Sequence, residues 1–218
     1  GEQFVWALAG SPKDRLYIGT GNRGRVFKLL GEKNPELVLD SPEVAIFSLT
    51  VDEKGVLYAG SSPDGLIYRI APGKDPVKFC RTGDHHVWAL TPDGKGGLYA
   101  ATGGTYGRIL QISSEGKVKE VYKTADRNFV SLVRDQDGNI FFGTDQNGLV
   151  YRLDGFGKVN VLYDASQEEI RALAVGSGGI LYVGAMSGGS MPDQGNPSTS
   201  SQKGKKKGKS VLYAVLKS

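Results

Sequence analysis

The 218-residue chain holds one cysteine, Cys80, and two histidines, His85 and His86. A lone thiol excludes a disulfide framework and any zinc site built from cysteines. No apolar run approaches the roughly 20 residues that a membrane-spanning helix needs. No segment places its apolar residues at a helical period, so helix is expected to be nearly absent. No signal peptide leads the chain and the first methionine is Met186, which reads as a processed product or an excised part of a longer one. The P-loop and the G-x-S-x-G nucleophile motif are both missing. GTGNRGR (19–25) fits the dinucleotide fingerprint only loosely, and it lies between two strand-like runs instead of opening a helix.

A basic surface is also missing. The formal charge is +4, yet the segment Met186–Ser210 alone carries five lysines against Asp193. The remainder is neutral. Nucleic-acid binding calls for Lys and Arg clustered on a folded face, so no specific nucleic-acid partner is expected.

Glycine is abundant, 32 residues, with 39% apolar and 23% charged residues around it. That balance can bury a core. The glycines follow a repeat. VWAL (5–8) returns as IFSL (46–49), VWAL (87–90), FVSL (129–132) and IRAL (170–173). RLYIGT, VLYAGS, GLYAAT, NIFFGT and ILYVGA follow in turn, then GRVFKL, GLIYRI, GRILQI, GLVYRL and SVLYAV. A fourth segment occurs four times: ELVLD, VKFCR, VKEVY and VNVLY. Each is short, rich in Val, Ile, Leu, Tyr and Phe, and bounded by Gly, Asp, Asn or Pro, the pattern of strands joined by tight turns.

Four antiparallel strands recurring about every 41 residues specify an all-β propeller of five repeats. The blades span 1–41, 42–83, 84–125, 126–166 and 167–218. The last lacks its outermost strand and carries a low-complexity insert at 186–210, whose composition cannot bury a core. KGKKKGK within it could meet an anionic polymer or surface. Trp6, Phe47 and Trp88 share one repeat position with Val130 and Arg171, and are expected to fill the wedge between blades. Arg171 is the irregular member, since a charge in that wedge needs a partner or must snorkel out.

LYIGTGNRGRVFKL, LYAGSSPDGLIYRI and NIFFGTDQNGLVYRLD resemble the repeats of two-component-regulator-type and NHL-like propellers, and those of large bacterial WD40-like proteins of undefined activity. The likeness covers nearly the whole chain. It departs from WD40 proper, because no Trp-Asp dipeptide is present. It implies a propeller and suggests an exported, extracytoplasmic protein.

Two arrangements suit the short last blade: a five-blade ring closed by side-chain packing, which is the expectation, or part of a larger or paired propeller. The edge at residues 211–218 is open to strand addition or self-association.

Loops leading into inner strands share a face with the loops joining second and third strands. The candidate ligand residues there are Arg23, Glu43, Asp64, His85, His86, Tyr106, Arg127, Gln146, Glu169 and Arg171. They would form a polar bowl for a glycan, a peptide or a protein partner. His85 and His86 point to opposite sides of an extended segment, which argues against both binding one metal. DQDGN (135–139) begins like a calcium loop, but Gln146 stands where the bidentate Glu belongs, and the repeat explains it as a hairpin turn. No metal or cofactor is expected. Cys80 reads as a small apolar filler. The leading expectation is a non-catalytic binding or scaffold domain. The alternatives are a carbohydrate-active enzyme, with Glu43 and Glu169 the only plausible carboxylate pair, and an assembly module using the open edge.

Overall fold

Short β-branched and aromatic runs form strands wherever the repeat places them, because Asp and Gly turn the chain back every few residues. The computed structural model describes residues 2–11, 15–31, 34–187 and 210–215. Blade 1 consists of β1 (Val5–Ser11), β2 (Arg15–Thr20), β3 (Arg25–Leu30) and β4 (Glu36–Asp40). Blade 2 has β5 (Ala45–Val51), β6 (Leu57–Ser62), β7 (Leu66–Ile70) and β8 (Val77–Arg81). Blade 3 has β9 (His86–Pro92), β10 (Leu98–Gly103), β11 (Gly107–Ile112) and β12 (Val118–Thr124). Blade 4 has β13 (Phe129–Arg134), β14 (Ile140–Thr144), β15 (Leu149–Leu153) and β16 (Val159–Asp164). Blade 5 has β17 (Glu169–Val175), β18 (Leu181–Met186) and β19 (Ser210–Val215). Every sheet is an antiparallel meander, four-stranded in blades 1–4 and three-stranded in blade 5. The one helical element among the described residues is a 3₁₀ turn at Ser177–Gly179. Most of the low-complexity insert, 188–209, lies outside the described residues, as do 216–218 at the proposed open edge.

Asp side chains build the hairpins. Asp52 Oδ1 accepts from the N–H groups of Lys54 and Val56, both at 2.9 Å. Asp93 does the same for Lys95 and Gly97, and Asp154 for Phe156 and Lys158. In DQDGN, Asp135 Oδ1 accepts from Asn139 N and Oδ2 from Asn139 Nδ2, at 2.9 and 2.8 Å. That segment is a hairpin turn whose carboxylate is engaged by the turn.

Each blade presents a front to the blade before it and a back to the blade after it. Four apolar clusters result, one per interface: blades 1–2 around Tyr17, Val26 and Leu57; 2–3 around Tyr58, Leu98 and Leu110; 3–4 around Ile109, Phe129 and Phe142; 4–5 around Phe141, Val150 and Leu181. The fit is knob into hole. Ile46, Val87, Phe129 and Ile170 are fully buried on successive fronts. They enter holes at Gly19, Gly60, Ala101 and Gly143 on the backs of the preceding blades. A Cβ on Gly19 would sit 2.9 Å from Ile46 Cγ2, and one on Gly60 2.7 Å from Val87 Cβ. Serines fasten two of the interfaces: Ser48 Oγ donates to Val87 O at 2.8 Å and Ser131 Oγ to Ile170 O at 2.7 Å.

Among the described residues the ring does not close on itself. Inner strands pack side by side in the order β1, β5, β9, β13, β17, and among those residues no comparable packing joins β17 to β1. Val5, the knob of blade 1, is 59% exposed. The closed five-blade ring is therefore corrected to an open arc of five blades. The physical reason is that, among the described residues, Val5 and Leu8 on the front of blade 1 meet no opposing back.

A second correction concerns the inner strands. Each carries a β-bulge at the same repeat position. Val5 pairs Thr20 and Ala7 pairs Gly19, skipping Trp6. Phe47, Trp88, Val130 and Arg171 are skipped in the same way. The extra residue of a bulge is re-aimed out of the ladder. These five side chains face the axial channel, while their neighbours Ile46, Val87, Phe129 and Ile170 fill the wedges.

Candidate functional site

The loop face is held by a repeated latch. In blades 1–3, an acid 18 residues ahead of a hydroxyl at the end of the second strand accepts its hydrogen bond: Glu2 from Thr20 at 3.2 Å, Glu43 from Ser61 at 3.0 Å, Asp84 from Thr102 at 2.5 Å. Each also takes a donor from the following turn or third strand. Glu2 pairs with Arg25 at 3.3 Å, Glu43 accepts from Asp64 N at 3.0 Å, and Asp84 pairs with Arg108 at 2.8 Å. The chain turns into β7 at Gly65, whose φ is +59° and whose missing Cβ leaves room for the Asp84 carbonyl. Glu43 is buried with one carboxylate oxygen doubly engaged. It holds the fold, and its place in the proposed bowl is corrected accordingly. The reason is that Oε2 of this buried carboxylate is already spent on Ser61 and Asp64 N, which fixes the side chain to its own loop.

The other candidates are spread out. Arg23, Arg127 and Gln146 are exposed at loop tips. Asp64 pairs with Arg81 at 3.4 Å. Tyr106 lies under Lys123 Nζ, 3.8 Å from the ring centroid, in a cation–π contact. His85 is exposed beside His86, their ring centroids 6.0 Å apart. Glu169 and Arg171 form an ion pair of 2.7 Å, with Arg171 half-exposed and Glu169 largely covered.

Four aromatic residues not singled out as ligand positions form the coherent site together with the candidate His86. Trp6 meets Phe47 edge-on at 5.4 Å, and Phe47 stacks on Trp88 at 4.6 Å with 15° between planes. Phe4 extends the strip at one end, 5.9 Å from Trp6, and His86 packs on Trp88 at 5.1 Å. Phe4 and Trp6 are about half exposed. Four aromatic rings and an imidazole thus line the inner strands of blades 1–3. His86 Nδ1 lies 2.8 Å from Ser62 Oγ. Burial, and then the neighbouring His85, push His86 below its usual range, so the ring is neutral at neutral pH.

Trp88 is oriented from behind. Its Nε1 donates to Asn128 Oδ1 at 3.0 Å, and Asn128 Nδ2 donates to Asp145 Oδ2 at 2.5 Å. Gly103 leaves space for this chain, since a Cβ there would lie 2.7 Å from Trp88 Nε1 and would overlap the Asn128 side chain. On blades 4 and 5 the channel positions become Val130 and then Arg171 with Glu169. The strip therefore grades from aromatic to charged along the arc. Such a surface can stack against a flat or CH-rich face and hydrogen-bond polar groups at the other end.

One signal in the sequence could have revealed this strip. A repeat position that accepts Trp, Phe, Val and Arg is poorly suited to a closed wedge and well suited to solvent. Cys80 sits half-buried on β8, and burial pushes its thiol up to about 11, which makes it a filler and not a nucleophile. The opposite face holds a cleft of about 250 Å³ between the β5–β6 and β9–β10 turns, lined by Asp52, Lys54 and Arg134 among others. It is walled mainly by turns, and Asp52 is already engaged there.

No family model and no curated protein matches the chain. Solved structures do. A virginiamycin B lyase from Staphylococcus aureus is similar with a TM-score of 0.71 and 16% identity, over 82% of this chain and 62% of the lyase. The extracellular domain of a hybrid two-component system from B. thetaiotaomicron is similar with a TM-score of 0.68 and 17% identity, over 83% and 26%. A chain of a nidogen/laminin complex follows at 0.65 and 16%, over 78% and 68%. The chain thus spans less than two thirds of the lyase and about a quarter of the two-component system's extracellular domain. These neighbours establish the β-propeller fold. They include an enzyme, the extracellular domain of a two-component system and a member of a protein complex.

Proposed function

We propose that this chain is a non-catalytic recognition propeller whose ligand lies along the axial aromatic strip. The observation that carries the reading is the strip itself: Trp6, Phe47 and Trp88, re-aimed by one bulge per blade, stand in edge and stacking contact on adjacent inner strands. A glycan or a peptide fits this surface, with flat faces against the rings and polar groups toward His86, Glu169 and Arg171. Export is the natural setting, as for the two-component system's extracellular domain. The binding reading is preferred to the carbohydrate-enzyme alternative because Glu43 is tied to Ser61 and Asp64 N and Glu169 to Arg171.

Tryptophan-fluorescence titration against glycan and peptide collections tests the reading. Phe47→Ala and Trp88→Ala should each weaken a hit by about 10- to 100-fold, the range for a central aromatic anchor. Tyr106→Ala, away on a loop tip, should leave it unchanged. A hit that survives both strip substitutions would place the ligand elsewhere.

A further inference from the structure

Among the described residues, the arc ends in a knob without a hole and a hole without a knob. On the front of blade 1, Val5 and Leu8 are 59% and 61% exposed, and Leu16 is exposed too, whereas its counterparts Leu57, Leu98, Ile140 and Leu181 are buried. On the back of blade 5, Tyr182 is 39% exposed, although Tyr17, Tyr58 and Phe141 are buried at that position. The small-residue hole of blade 5 is Gly184. Among the described residues, the atoms nearest a Cβ there belong to Ala172 of the same sheet, while Gly19, Gly60 and Gly143 each meet a knob of the next blade. Both ends thus expose the apolar chemistry that the four internal interfaces bury.

We infer that the front of blade 1 and the back of blade 5 are docking faces for further four-stranded blades of this same repeat, carried on the same polypeptide, which close the ring around the aromatic channel. The inference rests on packing and is independent of the ligand reading. A blade of this repeat presents both required faces at once, a Gly or Ala hole behind and a β-branched or aromatic knob in front, continuing an interface already made four times. A second copy of the arc would bring five blades to each open face, and a head-to-tail contact whose rotation does not close grows into filaments. Blades on the same polypeptide meet both faces at high effective concentration. Closure would also complete the site, because Phe4 and Trp6 stand at its open end.

A second copy of residues 42–82 joined directly ahead of Gly1 tests this, since the added outer strand then runs into β1 as β8 runs into β9. Leu8→Cys should be alkylated rapidly in the 218-residue chain, against the slow half-buried Cys80, and about tenfold more slowly in the extended chain. Leu8→Asp should leave the Tm of the 218-residue chain unchanged and lower that of the extended one. The inference is overturned if the extended chain fails to fold cooperatively, or folds with Leu8→Cys as reactive as before. It is equally overturned if Leu8→Cys is already protected in the 218-residue chain and light scattering finds an oligomer that Leu8→Asp dissociates, for then a second copy covers the face.

Discussion

Ser131 shows how much a single atom does in this architecture. Its buried Oγ bridges blades 4 and 5, where blades 1, 3 and 5 carry alanine at the same position. Ser131→Ala leaves the Ile170 carbonyl without that donor, so chemical denaturation should find a loss of about 1–2 kcal/mol. Gly103 is equally specific. Gly103→Ala forces Asn128 off Trp88, and we expect ligand binding to fall with little change in the circular dichroism spectrum. His86 carries a pH dependence whose sign follows from its environment. Its folded pKa lies below the unfolded value of about 6.5, so the unfolded chain binds the proton first as pH falls. The stability that neutral His86 contributes is complete above that value and is lost as pH drops through it toward the lower folded pKa. Urea midpoints at about pH 7.5 and pH 5.5 should therefore differ, and His86→Gln should shrink the difference. The histidine pair was visible in the sequence as a candidate. That His86 belongs to an aromatic stack was not, because Phe47 reaches it and Trp88 only through the packing of blade 2 on blade 3.

At the scale of strands, the bulge decides which side chains are core and which are free. Strict alternation along an inner strand would set the residue after each knob on the opposite face, with no account of Trp and Arg sharing a position. One extra residue per strand resolves this, turning Trp6, Phe47, Trp88, Val130 and Arg171 to the channel. The knobs then carry the interfaces. Ile170→Ala should cost about 2–5 kcal/mol by leaving a cavity beside Gly143. Val5→Ala, the same change in chemistry at the open front, should stay within about 0.5 kcal/mol. Equal losses at the two positions would show that β1 is covered after all. The strands themselves, their order and their turns could be read from the repeat, since each depends on residues a few places apart.

For the whole molecule, five blades in an arc form a nearly one-dimensional stack in which each blade leans only on its neighbours. The blades in the middle are covered on both faces and the end blades on one. Native-state hydrogen exchange should therefore be slowest in β10 and β14 and fastest in β1, β2 and β18, with opening that spreads inward from the ends. Uniform protection across the blades would argue for a single cooperative unit and against an open stack.

The fold was legible in the residues because a propeller is written locally: alternating apolar strands, Asp and Gly at the turns, and a period near 41 repeated five times over. Local pattern also located the hairpin at DQDGN and the filler role of Cys80. Tertiary structure alone decided three matters. It separated latch from ligand position, making Glu43 a fold-holding acid through Ser61 and Asp64 N. It turned the bulge residues from wedge to channel. And, among the described residues, it left the ring open, with Val5 and Gly184 unmatched. Each of these depends on contacts between segments about 20 to 180 residues apart, and a repeat that is the same in every blade carries no sign of which copies stand at the ends of the arc.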